Sequence, residues 1–477
     1  MEETGSEVVS MRFDEEALEV LVGIARTDAG RSDLASKGIV RSLLDAFPEF
    51  ARDSSLLLLC LKLLRNLCAG EIRNQDAFVE CNGVDVVLGA MRSWMVSREV
   101  DVGGVRTALQ VLANVSLAGD RHRMVLWTRL FPEEFLSLAR VRRREILDPL
   151  CMIMYVCSVG DVPSDADLSG QQELLAVAEL VRTASVVGFQ EQWFGWLMSK
   201  VCLDRQCLPA LFAKLVNAGI SDDDAVADGT CDGFSSDQAY LVRILSEILT
   251  KQLTEMPVSG ELAMFILQLF QRALSQVDFS SRNLSSLPTG SLATDVLGYT
   301  LLILRDICAQ DSAAGSGEGS EHAVQTLLSH GLLDALLSIL GELESPAIIQ
   351  KSIDGTKDRE VGSGGELKLC PYRGFRRDIV AVIGNCAYGR KIVQDEVRQK
   401  NGLLLMLQQC VSDESNPFLR EWGIWAMKNL LEGNEENENA VRDLEFQGSA
   451  TSPQIASLGL KVEVDPKSGK AKLVNDP

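Results

Sequence analysis

The residues that could carry catalysis are few and badly spaced. The three histidines are His122, His322 and His330, and the last two stand eight residues apart, too far for the His-x-x-x-His pair that binds zinc from one helix face. The glycine-rich segment 315–319 lacks the preceding strand and the lysine of a phosphate-binding loop. We therefore expect no catalytic residue and no cofactor, and the sequence predicts a protein that is not an enzyme.

An acidic segment, residues 221–232, resembles a calcium-binding loop in composition only. Asp222 and Asp224 fit its first two ligand positions, but Val226 stands at the third and Ala227 replaces the glycine that the sharp turn requires. Calcium needs oxygen ligands at fixed positions around that turn. We expect no metal site in this segment.

Asparagines recur at one position of a repeated motif. Four segments share a similar ending: Leu-Leu-Arg-Asn66-Leu-Cys, Val-Leu-Ala-Asn114-Val-Ser, Val-Ile-Gly-Asn385-Cys-Ala and Ala-Met-Lys-Asn429-Leu-Leu. Rigidly held amides can hydrogen-bond the backbone of an extended partner. They could equally hydrogen-bond a neighbouring turn and tie repeats together, and the sequence leaves both roles open. The candidate partner-binding groove comprises Asn66, Asn114, Asn385, Trp425 and Asn429.

A glycine that opens an apolar run is the second recurring marker. The four glycines are Gly38, Gly83, Gly331 and Gly402. Asn66 precedes Gly83 by 17 residues, and Asn385 precedes Gly402 by the same 17. The asparagines themselves are 48 and 44 residues apart within each pair, and a helical period of about 40–47 residues is typical of armadillo and HEAT repeats. The predicted fold is all-α, an armadillo/HEAT-like right-handed superhelical solenoid whose third helices line a concave face.

The segment around residues 416–433 shows how one such helix is expected to be built. Asn416 followed by Pro417 predicts the helix start, with an N-cap oxygen and a proline in the first turn. Gly433 is placed to end the helix in a left-handed turn.

Two tryptophans in this helix are expected to differ in environment. Trp425 lies four residues before Asn429 and shares its face, whereas Trp422 shares that face only in part. We expect Trp425 at the edge of the groove and Trp422 packed against the preceding repeat.

Breaks in the helical pattern suggest how the chain is divided. Residues 221–237, 311–320 and 351–371 read as exposed loops between repeats. After residue 447 the pattern alternates, which predicts a short hairpin or an extended tail. The predicted organisation is N-terminal armadillo-like repeats at 12–219, an acidic flexible loop at 220–236, middle repeats with loop insertions at 237–371, and a C-terminal domain with its tail at 372–477.

The composition bounds the partners and the compartment. Lys and Arg total 46 against 67 Asp and Glu, a formal net charge of −21, so nucleic-acid binding is not expected. The longest leucine run is interrupted by Lys62 and Arg65, far short of a membrane span. Scattered cysteines without a Cys-x-x-Cys pair and an acidic N-terminus indicate a reducing compartment, and we expect a cytoplasmic (cytosolic) protein.

Arginines nevertheless concentrate between positions 121 and 144 of this acidic chain. One interpretation is a solvated helix face; the other is a site for an acidic partner or an anionic lipid surface. In the first case the arginines would pair with Glu133, Glu134, Glu145 and Asp148.

Residues 372–474 resemble the C-terminal domain of the ataxin-10 family. The resemblance is carried by Tyr-Arg-Gly-Phe-Arg-Arg-Asp-Ile-Val-Ala-Val-Ile-Gly-Asn-Cys-Ala-Tyr, by Asn-Pro-Phe-Leu-Arg-Glu-Trp-Gly-Ile-Trp-Ala-Met-Lys-Asn-Leu-Leu-Glu-Gly-Asn, and by the trailing Leu-Lys-Val-Glu-Val-Asp. It implies an armadillo-type solenoid without catalytic activity, associated with cytokinesis and cell division and, in animals, with neuronal survival and neurite outgrowth.

The function expected from this resemblance is a cytoplasmic, non-enzymatic scaffold for protein–protein interaction in cytokinesis, cell division and development. Its partners would be other proteins, and a homo-oligomer is left open. The alternative is an importin-like adaptor that binds basic peptides in an acidic groove, because Trp425 and Asn429 have the spacing used there. Lys62, Gln110 and Ala381 stand where the other asparagines would need a tryptophan.

Overall fold

The computed structural model describes residues 13–96, 101–159, 168–216, 233–251, 258–313, 320–346, 349, 367–444, 460–464 and 471–475. Within these residues the predicted all-α fold is confirmed, apart from one C-terminal hairpin. Each of the three expected loops lies mostly outside the described residues. Asp222 and Asp224 of the calcium-like segment also lie outside them. The chain divides into two compact units, one of Met1–Ala335 with Lys368–Phe375 and one of Leu336–Leu367 with Arg376–Pro477.

The first unit begins with three-helix repeats. Its first ten helices are α1 (Glu15–Ile24), α2 (Asp28–Ser36), α3 (Ile39–Phe50), α4 (Ser54–Leu67), α5 (Ile72–Glu80), α6 (Gly83–Val96), α7 (Val102–Ser116), α8 (Asp120–Leu130), α9 (Glu133–Ala139) and α10 (Arg144–Val159). Helix α2 packs on α3 and α4, α5 on α6 and α7, and α8 on α9 and α10. Each triplet is an armadillo-type repeat that ends in a long third helix.

Longer and less regular helices follow. They are α11 (Leu168–Val187), α12 (Gln192–Ser199, continued by a π turn over Lys200–Asp204), α13 (Leu208–Lys214), α14 (Ser236–Lys251), α15 (Gly260–Gln276), α16 (Leu292–Ala313), α17 (Ser320–Ser329) and α18 (Leu332–Glu342). Helices α1, α4, α7, α10, α12, α14 and α16 pack each against the next, and we call this continuous layer the ridge.

Two of the third helices, α4 and α7, begin at aspartates. Asp53 accepts a hydrogen bond from the N–H of Ser55 at 2.9 Å at the start of α4, and Asp101 accepts one from Gly104 at 3.0 Å at the start of α7. Such caps satisfy N–H groups that have no partner within the helix. The apolar side chains that follow are buried between neighbouring helices, which is where the core of each repeat lies.

The C-terminal helices repeat the pattern, and a hairpin follows them. The helices are α19 (Phe375–Ala387), α20 (Lys391–Gln399), α21 (Gly402–Leu407), α22 (Leu419–Leu431) and α23 (Glu435–Arg442). Strands β1 (Leu460–Val464) and β2 (Ala471–Asn475) pair antiparallel, with Leu460 opposite Asn475. Of the two forms expected for the tail, a hairpin or an extended segment, the structure shows the hairpin.

The recurring glycine lies at a left-handed turn before a helix, and either the glycine or the residue before it has the positive φ angle. Gly38 and Gly331 adopt positive φ angles of 65° and 83° just before their helices. At the two Asn-Gly pairs the asparagine takes that conformation instead, with φ of 55° at Asn82 and 57° at Asn401. Asparagine tolerates the left-handed region better than most residues. The glycine after it is the first residue of the helix.

The helix around residues 419–431 begins later than the sequence predicts. Phe418, not Asn416, is its N-cap, and Phe418 has a left-handed φ of 64°. The buried Asn416 side chain instead accepts a hydrogen bond from the backbone N–H of Arg376 at 3.0 Å, a contact forty residues away. The predicted cap at Asn416 is wrong because this distant N–H occupies its oxygen. Gly433 ends the helix at φ 70° as expected.

Candidate functional site

Two of the recurring asparagines join consecutive repeats. Asn114 donates from Nδ2 to the backbone carbonyl of Arg65 at 2.9 Å, and Asn429 donates to that of Gly384 at 3.0 Å. Arg65 and Gly384 each immediately precede the asparagine of the preceding repeat. The two bonds are therefore equivalent, and they connect each third helix to the one before it.

The other two asparagines are half-buried at the same level of their helices. Asn66 donates to the carbonyl of Val22 on α1 at 3.4 Å, and its Oδ1 accepts from the Arg65 guanidinium at 3.0 and 3.2 Å. The backbone carbonyl of Asn385 accepts from the Arg390 guanidinium at 3.3 Å. The structure thus places the four asparagines in corresponding positions within each unit, and three of them have side-chain amides bonded to a neighbouring helix.

A second series of amides was missed by the sequence analysis. Gln75 donates to the carbonyl of Cys68 at 3.0 Å and to that of Asn114 at 2.9 Å. Gln394 donates to Ala387 at 3.3 Å and to Asn429 at 2.8 Å. Each glutamine stands nine residues after a recurring asparagine, so its spacing was a usable signal.

Two asparagines that stand eight residues after a recurring asparagine also donate to backbone carbonyls. Asn74 donates to the carbonyls of Leu67 and Arg31 at 2.9 and 3.3 Å, and Asn437 donates to those of Leu430 and Gln394 at 2.8 and 3.1 Å. Carbonyls in the last turn of a helix have no partner within it. These buried amides satisfy the last-turn carbonyls of Leu67 and Leu430 and connect the following helix to them.

The exposed face of α22 is aromatic. Phe418 is 68% exposed and Trp425 51% exposed, while Trp422 between them is half-buried. The ammonium of Lys428 lies 4.9 Å from the centroid of the Trp425 ring. Asn429, by contrast, is only 2% exposed, so Trp425 and Asn429 do not present a joint surface.

A second aromatic group lies on the ridge of the first unit. Tyr155, Trp193 and Trp196 have ring centroids 4.8 to 6.1 Å apart. Beside them is a cavity of 210 Å³ whose lining includes Trp196 and Glu247. This cluster was also missed, because its members come from two helices and share no motif.

One histidine and two thiols that could do chemistry are buried. His122 is buried, with Nε2 3.1 Å from Oδ1 of Asp76. Burial raises the pKa of the Cys68 and Cys202 thiols to about 12, and thiols at such values are poor nucleophiles. In the described part of the chain no group of three or more His, Cys, Asp or Glu side chains is placed to hold a metal ion.

The arginine-rich region is paired, though with other partners than expected. Arg129 lies 3.7 Å from Asp85, and Arg144 lies 3.0 Å from Glu191. None of the four predicted carboxylates takes part: Arg123 pairs with Asp120 of its own helix, and the other partners come from other parts of the chain. The arginines with a carboxylate within 4.0 Å are Arg121, Arg123, Arg129, Arg140, Arg142 and Arg144.

The helices are short or polar when compared with a membrane span. No single helix among the described residues is long and apolar enough to cross a bilayer. One pair, Ala323–Ser329 with Leu332–Glu342, passes by length and composition but is bent by 59°.

Comparison with known proteins identifies the C-terminal region. Residues 375–474 match the family model described as the spinocerebellar ataxia type 10 protein domain. Ataxin-10 of Bos taurus is 24% identical over 472 residues, covering 94% of this chain and 92% of the relative. The ataxin-10 homolog of Dictyostelium discoideum is 35% identical over 105 residues, covering 22% of this chain and 17% of the relative.

Similarity to ataxin-10 from other animals also extends over most of the chain. Ataxin-10 of Homo sapiens is 24% identical over 420 residues, covering 87% of this chain and 81% of the relative. Among solved structures, an engineered protein aligns with 87% of this chain and 94% of its own at 14% identity and a TM-score of 0.30. Residues 375–474 thus match the ataxin-10 domain, and the chain is similar to ataxin-10 over most of its length.

Proposed function

We propose that the chain is a non-enzymatic scaffold that binds other proteins in the cytoplasm and acts in the regulation of cytokinesis, cell division and development. The similarity to ataxin-10 supports the general role in protein interaction. The observation that carries the proposal is the aromatic face of α22, formed by Phe418, Trp422 and Trp425.

The backbone of this face is strained at Phe418, and no burial within the described residues offsets the strain. Phe418 holds a bulky side chain at a left-handed φ of 64°, a conformation that costs on the order of 1–3 kcal/mol outside glycine. Its ring is nevertheless 68% exposed, so the strain is not offset by burial within the chain. Exposed aromatic side chains that lie together are typical of the energetic centre of a protein interface.

The importin-like alternative finds less support in the geometry. Such an adaptor needs a tryptophan and an asparagine that both face the bound peptide. Here the amide of Asn429 is buried and donates to Gly384, while Trp425 alone faces outward.

Proximity labelling across the cell cycle tests the proposal. The double variant Phe418→Ala with Trp425→Ala should lose labelled cell-division proteins that the unsubstituted protein recovers. Ile392→Ala is the matched control, because Ile392 is 83% exposed on α20 but lies outside the aromatic face. Unchanged recovery by a folded double variant would remove the support from this face, and recovery of import cargo would favour the adaptor.

A further inference from the structure

Four cations lie together on the first three helices of the ridge. Arg26 follows the end of α1, Lys62 and Arg65 are on α4, and Arg106 is on α7. Among the described residues none of the four has a carboxylate within 4.0 Å. Arginines outside the ridge do have a carboxylate partner; Arg73 on α5, for example, lies 3.2 Å from Glu71. The protein carries a net charge of −21, so unpaired cations gathered at one place are unexpected.

The Arg65 guanidinium at the centre of this cluster is held in place by neutral oxygens. Its Nε and Nη2 donate to Oδ1 of Asn66 at 3.2 and 3.0 Å, and its Nη1 donates to Oε1 of Gln110 at 3.2 Å. These bonds use three of the five N–H donors of a guanidinium. Amide oxygens fix its position but leave its positive charge uncompensated, and two of its N–H groups have no hydrogen-bond partner among the described residues.

The charges of the cluster act on one another. The pKa of Arg65 is lowered, first by burial and then by the neighbouring charges of Arg106 and Arg26. Asp148 on α10 is a carboxylate near enough to feel Arg106; its pKa is raised by burial and by Glu191, and Arg106 acts to lower it. Arg106 and Asp148 do not form an ion pair, so like charges dominate the surroundings of Arg65.

We propose that the ridge formed by α1, α4 and α7 binds an extended acidic segment of a partner protein, whose Asp and Glu carboxylates are bound by Arg65, Arg106 and Arg26. Guanidinium groups suit this task because their planar fork matches a carboxylate. Four cations on three adjacent helices favour a peptide over nucleic acid, since the rest of the protein is acidic. This site goes beyond the proposed function, which rests on the aromatic face of the other unit.

A fluorescein-labelled peptide of alternating glutamate and glycine, followed by fluorescence anisotropy with the full chain, tests the site. The double variant Arg65→Met with Arg106→Gln should weaken binding about tenfold or more, because charge-assisted hydrogen bonds are lost. Arg129→Gln, which removes an equal charge from an arginine paired with Asp85, should change the Kd by no more than about twofold. A peptide of alternating glutamine and glycine should not bind.

Stability provides a second readout that a structural role would not produce. Arg106→Gln removes a like charge beside Arg65, so its Tm should rise while its affinity for the acidic peptide falls. If Arg65→Met does not fold, Arg26→Gln with Arg106→Gln takes its place, since both guanidinium groups are exposed and without a hydrogen-bond partner in the described residues. Equal binding by the variants and the control, equal binding of the glutamine peptide, or no binding of the glutamate peptide at low salt would overturn the proposal.

Discussion

The side-chain amide of Asn429 donates a hydrogen bond of 3.0 Å to the backbone carbonyl of Gly384, the residue just before Asn385. The two helices approach closely at this point, because a Cβ atom on Gly384 would lie 2.8 Å from that of Ala426. Asn429 is therefore a connection between repeats, placed where only a short side chain fits on the other helix.

Replacing Asn429 should accordingly destabilise the fold. Asn429→Ala leaves the Gly384 carbonyl buried without a donor and should lower the free energy of unfolding by ~1–3 kcal/mol. Asn429→Asp should cost more, since it sets a carboxylate oxygen against that carbonyl. Urea unfolding would measure both, with the exposed Asn439→Ala as the control. If Asn429→Ala cost no more than the control, the connecting role would be wrong.

The two tryptophans of α22 should respond differently to truncation. Trp422 is half-buried and Trp425 is 51% exposed, so Trp422→Ala removes more buried apolar surface. Its loss should stay below the ~3–5 kcal/mol typical of a fully buried aromatic residue. Thermal unfolding followed by circular dichroism should therefore give the lower Tm for Trp422→Ala, and the reverse order would contradict this assignment.

Two glycines of helix α6 form a matched pair. A Cβ atom on Gly83 would lie 2.6 Å from the ring of Phe78, whereas one on Gly89 would meet nothing within 4 Å. Gly83→Ala should therefore destabilise the protein through overpacking, by about 1–3 kcal/mol. Gly89→Ala should stabilise it by ~0.5–1 kcal/mol, the helix preference of alanine over glycine. Chemical denaturation of both variants checks the opposite signs, and a shared sign would contradict the packing at Gly83.

The buried thiols predict a loss of stability at alkaline pH. Burial raises the pKa of Cys68 and Cys202 from the ordinary 9.0 to about 12. Above pH 9 an unfolded thiol loses its proton while the native one keeps it, so the unfolded state binds fewer protons and the free energy of unfolding falls. The slope is at most ~1.4 kcal/mol per pH unit for each thiol until the native thiol also titrates.

Urea unfolding between pH 8 and pH 10 would measure this slope. Cys68→Ala with Cys202→Ala should flatten it, whereas Cys81→Ala leaves both buried thiols in place and should retain it. An unchanged slope in the double variant would show that other groups cause the loss of stability.

The sequence predicted the features that depend on local backbone requirements. Gly433 ends its helix in the left-handed turn that was expected, and the spacing from Asn66 to Gly83 follows from helix and turn lengths, so both depend on a short stretch of sequence alone. The role of Asn416 could not be predicted in this way, because its partner, the N–H of Arg376, comes from a helix forty residues earlier. The Asn416 oxygen could accept either from its own helix, as a cap, or from a distant N–H. Only the packing of the two helices decides which bond forms.

The candidate site was predictable in part for the same reason. The asparagines were found because they repeat, but what their amides contact depends on the distance between adjacent helices. The cluster around Arg65 shares no motif at all; it exists because three helices bring Arg26, Arg65 and Arg106 to one place.

The bonds from Asn114 to Arg65 and from Asn429 to Gly384 both point toward the N-terminus of the chain. During synthesis the acceptor of each bond therefore leaves the ribosome before its donor. Gln75, which does reach forward to Asn114, also has an acceptor at Cys68 within its own repeat. A newly made repeat can thus dock on finished structure without any of these three side-chain amides waiting for a later segment, which favours folding in the order of translation.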